Sequence, residues 1–263
     1  MSMSLYMETE GQGPDLLLLH GWGLHGGVWD TLMPRLTPHL RITRLDLPGH
    51  GRSRAVAMPH SLTELALQTM AAVPPGTVVL GWSLGGLVAL EAALRMPQRL
   101  RGLILADATP RFTTGEDWSC AMPPEQLREF AGGLAHDYQD TLQRFLSLQV
   151  RGDESARAAL RELRESLFAR GEPDTASLAV GLEILKDSDL RDRLRNVSLP
   201  TLVLAGGYDR LTPPGASEYL AAHIPDAKLE VFPKAAHAPF ISHADAFAAA
   251  VLKFMKHTDR AVA

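Results

Sequence analysis

The chain predicts an α/β fold in which a mostly parallel sheet is flanked by helices and interrupted by one helical insertion. Three observations carry this. Short continuous apolar runs, the pattern of strands covered on both faces, recur at residues 16–20, 41–46, 77–80 and 100–106, and again at 201–205 and 228–232. Helical patterns separate them, at 62–72, 87–94, 216–223 and 244–255. Between 110 and 190 no strand run stands out; four helical patterns follow one another instead, at 124–135, 137–149, 154–169 and 175–187. The organisation expected is therefore a core built from 1–109 and 191–263, with 110–190 inserted as a helical cap. Caps over such a sheet commonly shape a substrate pocket; a peripheral helical subdomain is the plainer alternative.

The whole-chain numbers limit the function classes. At 263 residues with 46% hydrophobic and 21% charged residues, the chain is long and apolar enough for one large domain with a real core. A net charge of −4 speaks against a nucleic-acid binder, which carries a basic excess. The longest apolar runs are far too short to span a bilayer, and no basic segment followed by an apolar one opens the chain, so neither membrane insertion nor secretion is expected. Cys120 is the single cysteine, which excludes an intrachain disulfide and suits a cytoplasmic location. There is no Cys/His cluster with zinc spacing and no Gly-rich phosphate loop, so no metal and no cofactor are expected. A monomer is the expected state.

The densest motif is Gly81-Trp82-Ser83-Leu84-Gly85-Gly86, between the run at 77–80 and the helical stretch at 87–94. Gly-x-Ser-x-Gly between a strand and a helix is the nucleophile elbow of α/β-hydrolases. The serine sits on a sharp, strained turn, and Gly81 and Gly85 relieve the crowding on either side. A serine hydroxyl needs a base, and the base needs an orienting group. In this fold they follow in the order Ser, Asp or Glu, His. Asp209 lies after the run at 201–205 and His237 after that at 228–232, both at carboxyl ends of strands, where open α/β sheets place their sites. Asp107 also follows a strand and is the rival acid; Asp209 suits the chain order better. Among the other histidines, His50 reads as structural and His243 as a capping or packing residue. An oxyanion hole needs two N–H donors. The backbone of Leu84 supplies one, and His20-Gly21-Trp22-Gly23 is placed to supply the other from Trp22; a turn around a packed tryptophan is the alternative. A serine at the elbow argues against dehalogenases and epoxide hydrolases of this fold. It leaves open short-acyl carboxylesterases, thioesterases, carbon–carbon bond hydrolases and a binding protein that has lost turnover.

Longer stretches narrow the choice. Leu18 to Leu24, Gly81 to Val88, Arg144-Phe145-Leu146-Ser147-Leu148-Gln149, Gly181 to Lys186 and Lys234 to His243 together resemble the pimeloyl-[acyl-carrier protein] methyl ester esterases of biotin synthesis. The resemblance runs through the cap, where generic hydrolases differ. It implies the α/β-hydrolase fold and cleavage of a methyl ester on a carrier-bound pimeloyl chain, releasing methanol. It implies a triad of Ser83, Asp209 and His237, and an oxyanion hole from Trp22 and Leu84. A substrate site lined by Trp22, Ser83, Leu84 and His237 and by Phe145, Leu146, Ser147, Leu148 and Gln149 is implied too, with Phe145 on the acyl chain and Gln149 on a polar group. At helical spacing Phe145 also reads as a cap core residue. Arg157, Arg161 and Arg164 share one helix face, near Arg144 and Arg151. The resemblance implies an acidic acyl carrier protein as partner, met by Arg144, Arg157 and Arg161. A solvated face with pairs such as Arg161–Glu165 is the alternative. The sequence departs from the family pattern at Asp140, where a basic residue is expected.

Overall fold

The structure, a computed structural model, describes residues 4–71, 73–151, 155–167 and 169–260. It is built on a seven-stranded sheet in the order β1-β3-β2-β4-β5-β6-β7. The strands are β1 (Met7–Glu10), β2 (Asp15–Leu19), β3 (Arg41–Leu45), β4 (Thr77–Trp82), β5 (Leu100–Ala106), β6 (Thr201–Gly206) and β7 (Ala227–Phe232). Only β1 runs antiparallel, beside β3; the other pairs are parallel. The sequence leaves β1 unread, because three of its four residues are polar, most are exposed, and they carry no apolar run. The central strands behave as predicted. Leu16 to Leu19 of β2 and all of β4 are buried. Each buried leucine and valine among them contributes roughly 1.5–3 kcal/mol by leaving water.

Helices α1 (Met33–Leu36), α2 (Leu62–Ala71), α3 (Leu84–Arg95), α8 (Pro214–His223), α9 (Pro239–Ser242) and α10 (Ala244–Arg260) flank the sheet. Helix α3 is buried along nearly its whole length and packs between α2 and strands β4 and β5. Between β5 and β6 come α4 (Pro124–His136), α5 (Tyr138–Gln149), α6 (Ala156–Leu167) and α7 (Thr175–Asp187). These are the four helices read from the sequence; Ala72, Glu154 and Phe168 of the expected helices lie outside the described residues. Asp137 caps α5 by accepting from the Asp140 N–H, and Asp174 caps α7 by accepting from Ser177 N–H. Asp140 thus sits in the first turn of α5, where a carboxylate complements the helix dipole.

The inserted helices are tied to the sheet by polar contacts at the root of α6. Thr31 hydrogen bonds Glu162, the Ser166 carbonyl accepts from His25 Nε2 at 2.6 Å, and Arg170 pairs with Glu8 at 2.8 Å. Strand order reverses between β2 and β4: β3 lies on one side of β2 and β4 on the other. The loops leaving β2 and β4 thus meet at the carboxyl edge of the sheet, where folds of this kind carry their sites.

Candidate active site

Ser83 follows β4 directly and precedes α3, with φ 55° and ψ −117°. Positive φ in a serine is strained, and the backbone around it explains why it persists. A Cβ on Gly81 would lie 2.2 Å from the Gly85 carbonyl oxygen, and one on Gly85 would lie 2.3 Å from that of Leu19. Three backbone segments meet at distances only glycine permits, and the turn is locked. The Ser83 N–H donates to Ala106 O at 3.1 Å, tying the turn to β5 as well. Helix α3 starts at Leu84, earlier than the apolar pattern at 87–94 suggested, because the two glycines after Leu84 weaken that pattern. The first N–H groups of a helix have no partner within it, so that of Leu84 is free for a ligand oxygen.

The loop after β2 lies against this turn. A Cβ on Gly21 would come within 3.3 Å of Ser83 Cβ. Gly23 N–H donates to His50 Nε2 at 3.1 Å and Leu24 N–H to Gly21 O at 3.4 Å; the Trp22 N–H takes part in neither. The Trp22 indole is buried and donates to the Leu178 carbonyl of α7 at 2.9 Å. Phe145 of α5 meets it edge-on, with ring centroids 5.0 Å apart, and packs in turn against Phe130 of α4 at 5.3 Å. Phe145 is thus both a packed aromatic of the inserted helices and a neighbour of the Trp22 loop.

His237 is fully buried and held at three points. Its N–H donates to Gln149 O at 2.9 Å, its carbonyl accepts from Trp82 Nε1 at 2.7 Å, and its Nδ1–H donates to Asp209 Oδ2 at 2.7 Å. The Nδ1 bond fixes the tautomer and leaves Nε2 bare, and that buried atom has no partner. Trp82 lies one residue before Ser83 and its ring centroid is 5.4 Å from that of His237, so one buried indole joins the serine turn to the histidine loop. Asp209 accepts four hydrogen bonds: Oδ1 accepts from Leu211 N at 2.8 Å and Thr212 N at 3.1 Å, and Oδ2 accepts from Thr212 Oγ1 at 2.6 Å and from His237. Of the two rival acids, the structure hydrogen bonds Asp209 to His237. Asp107 is close by; one ligand atom each of Asp107, Asp209 and His237 lie within 4.8 Å of one another. In that trio His237 Nδ1 carries the proton given to Asp209, so it offers no lone pair to a metal.

The other predicted residues divide by position. Gln149 is buried, its backbone touches His237, and its Oε1 has no partner. Leu146 is buried, while Ser147 and Leu148 are half-buried. Arg144, Arg157, Arg161 and Arg164 are exposed. Arg144 lies 3.9 Å from Asp140, and Arg161 lies 4.0 Å from Glu165, both loose pairs of little strength. Trp82 and Thr212 were not singled out in the sequence. The Trp is hidden inside the serine motif, and a threonine three residues after an acid carries no distinctive signal. A groove of about 920 Å³ between β6, β7 and α10 opens at the amino ends of the strands, away from Ser83.

His20 and His50 secure the Trp22 loop in neutral form. His20 Nε2 accepts from Leu47 N at 2.9 Å and its Nδ1–H donates to Gly21 O at 2.8 Å. His50 Nε2 accepts from Gly23 N and its Nδ1–H donates to Pro48 O at 2.8 Å. Burial pulls the His50 pKa down to about 4, and burial together with the neighbouring His50 pulls His20 well below the usual range. The unfolded chain therefore takes up a proton on His50 at higher pH than the folded one. The stability it confers is complete above about pH 6.5 and is lost as pH falls to about 4, by up to about 3 kcal/mol. A thermal-melting series over that window should show this loss, and His50→Gln, which keeps a donor and an acceptor, should flatten it. An unchanged slope in the variant would contradict the assignment.

Known proteins resemble the chain along most of its length. The alpha/beta hydrolase fold family matches the chain over residues 14–244. A pimeloyl-[acyl-carrier protein] methyl ester esterase of Xanthomonas oryzae pv. oryzae is 45% identical over 251 residues, covering 95% of this chain and 98% of the relative. One of Nitrosospira multiformis is 40% identical over 261 residues, covering 97% and 99%. The crystal structure of a hydrolase from Pseudomonas aeruginosa superposes with a TM-score of 0.81 at 30% identity, covering 97% of each chain. The chain belongs to the α/β-hydrolase fold family and, within it, to the family of the pimeloyl-[acyl-carrier protein] methyl ester esterases.

Proposed function

We propose that this enzyme hydrolyses the methyl ester of pimeloyl-[acyl-carrier protein], releasing methanol and the free carboxylate for biotin synthesis, with Ser83, His237 and Asp209 as its triad. The observation that carries the substrate reading is the extent of the likeness: at 95% coverage the match to esterases of that name includes the inserted helices. The chain is a carboxylic ester hydrolase.

The chemistry follows from the site. His237 Nε2 takes the Ser83 proton as Oγ attacks the ester carbonyl. Asp209 holds the imidazole tautomer and stabilises its positive charge. The N–H groups of Trp22 and Leu84 receive the oxyanion. Methanol leaves with the proton from His237, and water, activated by the same Nε2, cleaves the acyl-enzyme. The reaction requires no cofactor. Residues 110–190 act as a cap over the site, with 1–109 and 191–263 as the catalytic core. Phe145, Leu146, Ser147 and Leu148 line the acyl path with Trp22, Ser83, Leu84 and His237. The unpartnered Gln149 Oε1 supports a contact with a polar group of the substrate.

Arg144, Arg157 and Arg161 meet the acidic carrier protein and its phosphopantetheine phosphate. Their exposure supports this, as does the weakness of their present pairs. Asp140 stands beside Arg144 and weakens the basic patch at that point. Among the described residues no helix is long and apolar enough to cross a membrane. The reading takes the enzyme as a cytoplasmic monomer acting on a small protein partner, with no nucleic acid involved.

Hydrolysis of pimeloyl-carrier-protein methyl ester, beside an adipoyl carrier ester and p-nitrophenyl butyrate, tests the assignment with Ser83→Ala as blank. A Ser83-dependent preference for the carrier-bound pimeloyl ester is expected; activity confined to the small ester would sink the substrate while keeping the chemistry. Arg157→Glu with Arg161→Glu should raise KM for the carrier-bound ester and spare the small one. Equal losses on both would remove the arginines from the carrier site.

A further inference from the structure

Asp107 is a buried carboxylate beside Asp209 and His237 with one oxygen unpartnered. It follows β5 with φ 41°, in the left-handed region that an aspartate enters at a cost. Its backbone and side chain hold the strand end that leads into the loop carrying Asp209. The Asp107 N–H donates to Leu204 O at 2.8 Å, and Asp107 Oδ1 accepts from Gly206 N at 2.7 Å, three residues before Asp209. On the far side, Thr212 Oγ1 lies 3.0 Å from Asp107 O and 2.6 Å from Asp209 Oδ2, three residues after it. The remaining oxygen, Asp107 Oδ2, is buried with no donor to receive.

An ionised carboxylate with one bare oxygen, fully buried beside a second carboxylate, is unfavourable. The two acids share their surroundings unequally. Asp209 accepts four hydrogen bonds, Asp107 one. Burial, then the Asp209 charge, push the Asp107 pKa well above the usual carboxylate range. The titratable groups facing Asp107 are Asp209, from the loop after β6, and His237, from the loop after β7.

We propose that Asp107 is a positioning residue: as a neutral carboxylic acid it donates an Oδ2–H hydrogen bond to the Asp209 carboxylate while its Oδ1 anchors Gly206, so that Asp209 is aimed at His237 from a loop anchored where it leaves the sheet. This rests on Asp209 and His237 being the acid and base of the reaction. Leaving Asp107 neutral puts one net negative charge beside His237 rather than two. The His237 base is then set by Asp209 alone.

Asparagine at 107 tests this, because it keeps an oxygen for Gly206 N–H, supplies an N–H donor to Asp209 and tolerates positive φ. Asp107→Asn should retain kcat within about twofold and leave the acid limb of the kcat/KM pH profile unmoved. Asp107→Ala should lower kcat about tenfold or more with little change in KM. A second readout is independent of activity. An acid whose folded pKa is raised costs stability as pH climbs above its unfolded value, and asparagine removes that cost. The melting temperature of Asp107→Asn should therefore exceed that of the parent at pH 8, with the gap closing toward pH 5. If the Asp107→Asn acid limb moves to lower pH, Asp107 was charged beside His237 and the proposal fails. It also fails if Asp107→Ala keeps full kcat, or if Asp107→Asn melts below the parent at every pH. A fully active Asp209→Asn, measured in parallel, would instead overturn the assignment of the acid itself.

Discussion

The close approach of three backbone segments at Ser83 is the constraint from which the site is built. The end of β4, the start of α3 and the end of β2 come together at separations that admit no Cβ at Gly81 or Gly85. That contact forces Ser83 into positive φ and turns its side chain out of the sheet. It also fixes the unpaired N–H groups opening α3 beside the loop that carries Trp22. The strain of the turn is borne by a sheet whose central strands are buried throughout, so local distortion is offset by global packing.

Around that turn, the partners are held by few, well-defined contacts. Trp82 is buried against His237 and Phe240 and reaches the His237 carbonyl, so a residue of the serine motif orients the histidine loop. Gln149, the last residue of α5, accepts from the His237 N–H, while α7 accepts from the Trp22 indole. The inserted helices are thereby joined to the His237 loop and to the Trp22 loop through hydrogen bonds in dry surroundings, where they are strong and costly to leave unmade. A change in the packing of α5 or α7 would be felt at His237 and at the Trp22 loop.

The legible part of the fold was the part governed by local pattern. The buried parallel strands announced themselves as apolar runs, and the serine turn as two glycines around Ser83. The insertion showed as four amphipathic helices. Residues whose role depends on tertiary placement were harder to read. β1 is a short polar edge strand, recognisable only once β3 is there to pair with it. Of the two acids following strands, chain order favoured Asp209, and the hydrogen bond to Nδ1 agrees. Nothing local to Asp107 shows that it lies against Asp209 with its side chain holding Gly206. Trp82 and Thr212 likewise gain their roles only when loops distant in sequence meet. The exposed arginines were visible from helical periodicity, since three on one face need no tertiary context to be seen.

The account's central claim is that Ser83 is a nucleophile activated by the bare Nε2 of His237. Labelling the intact enzyme with an alkyl fluorophosphonate, followed by mass spectrometry of the peptides, tests it most directly. The account predicts one adduct per chain, on Ser83, forming at least about a hundredfold more slowly in His237→Ala. Labelling at another residue, or an unchanged rate in His237→Ala, would contradict it.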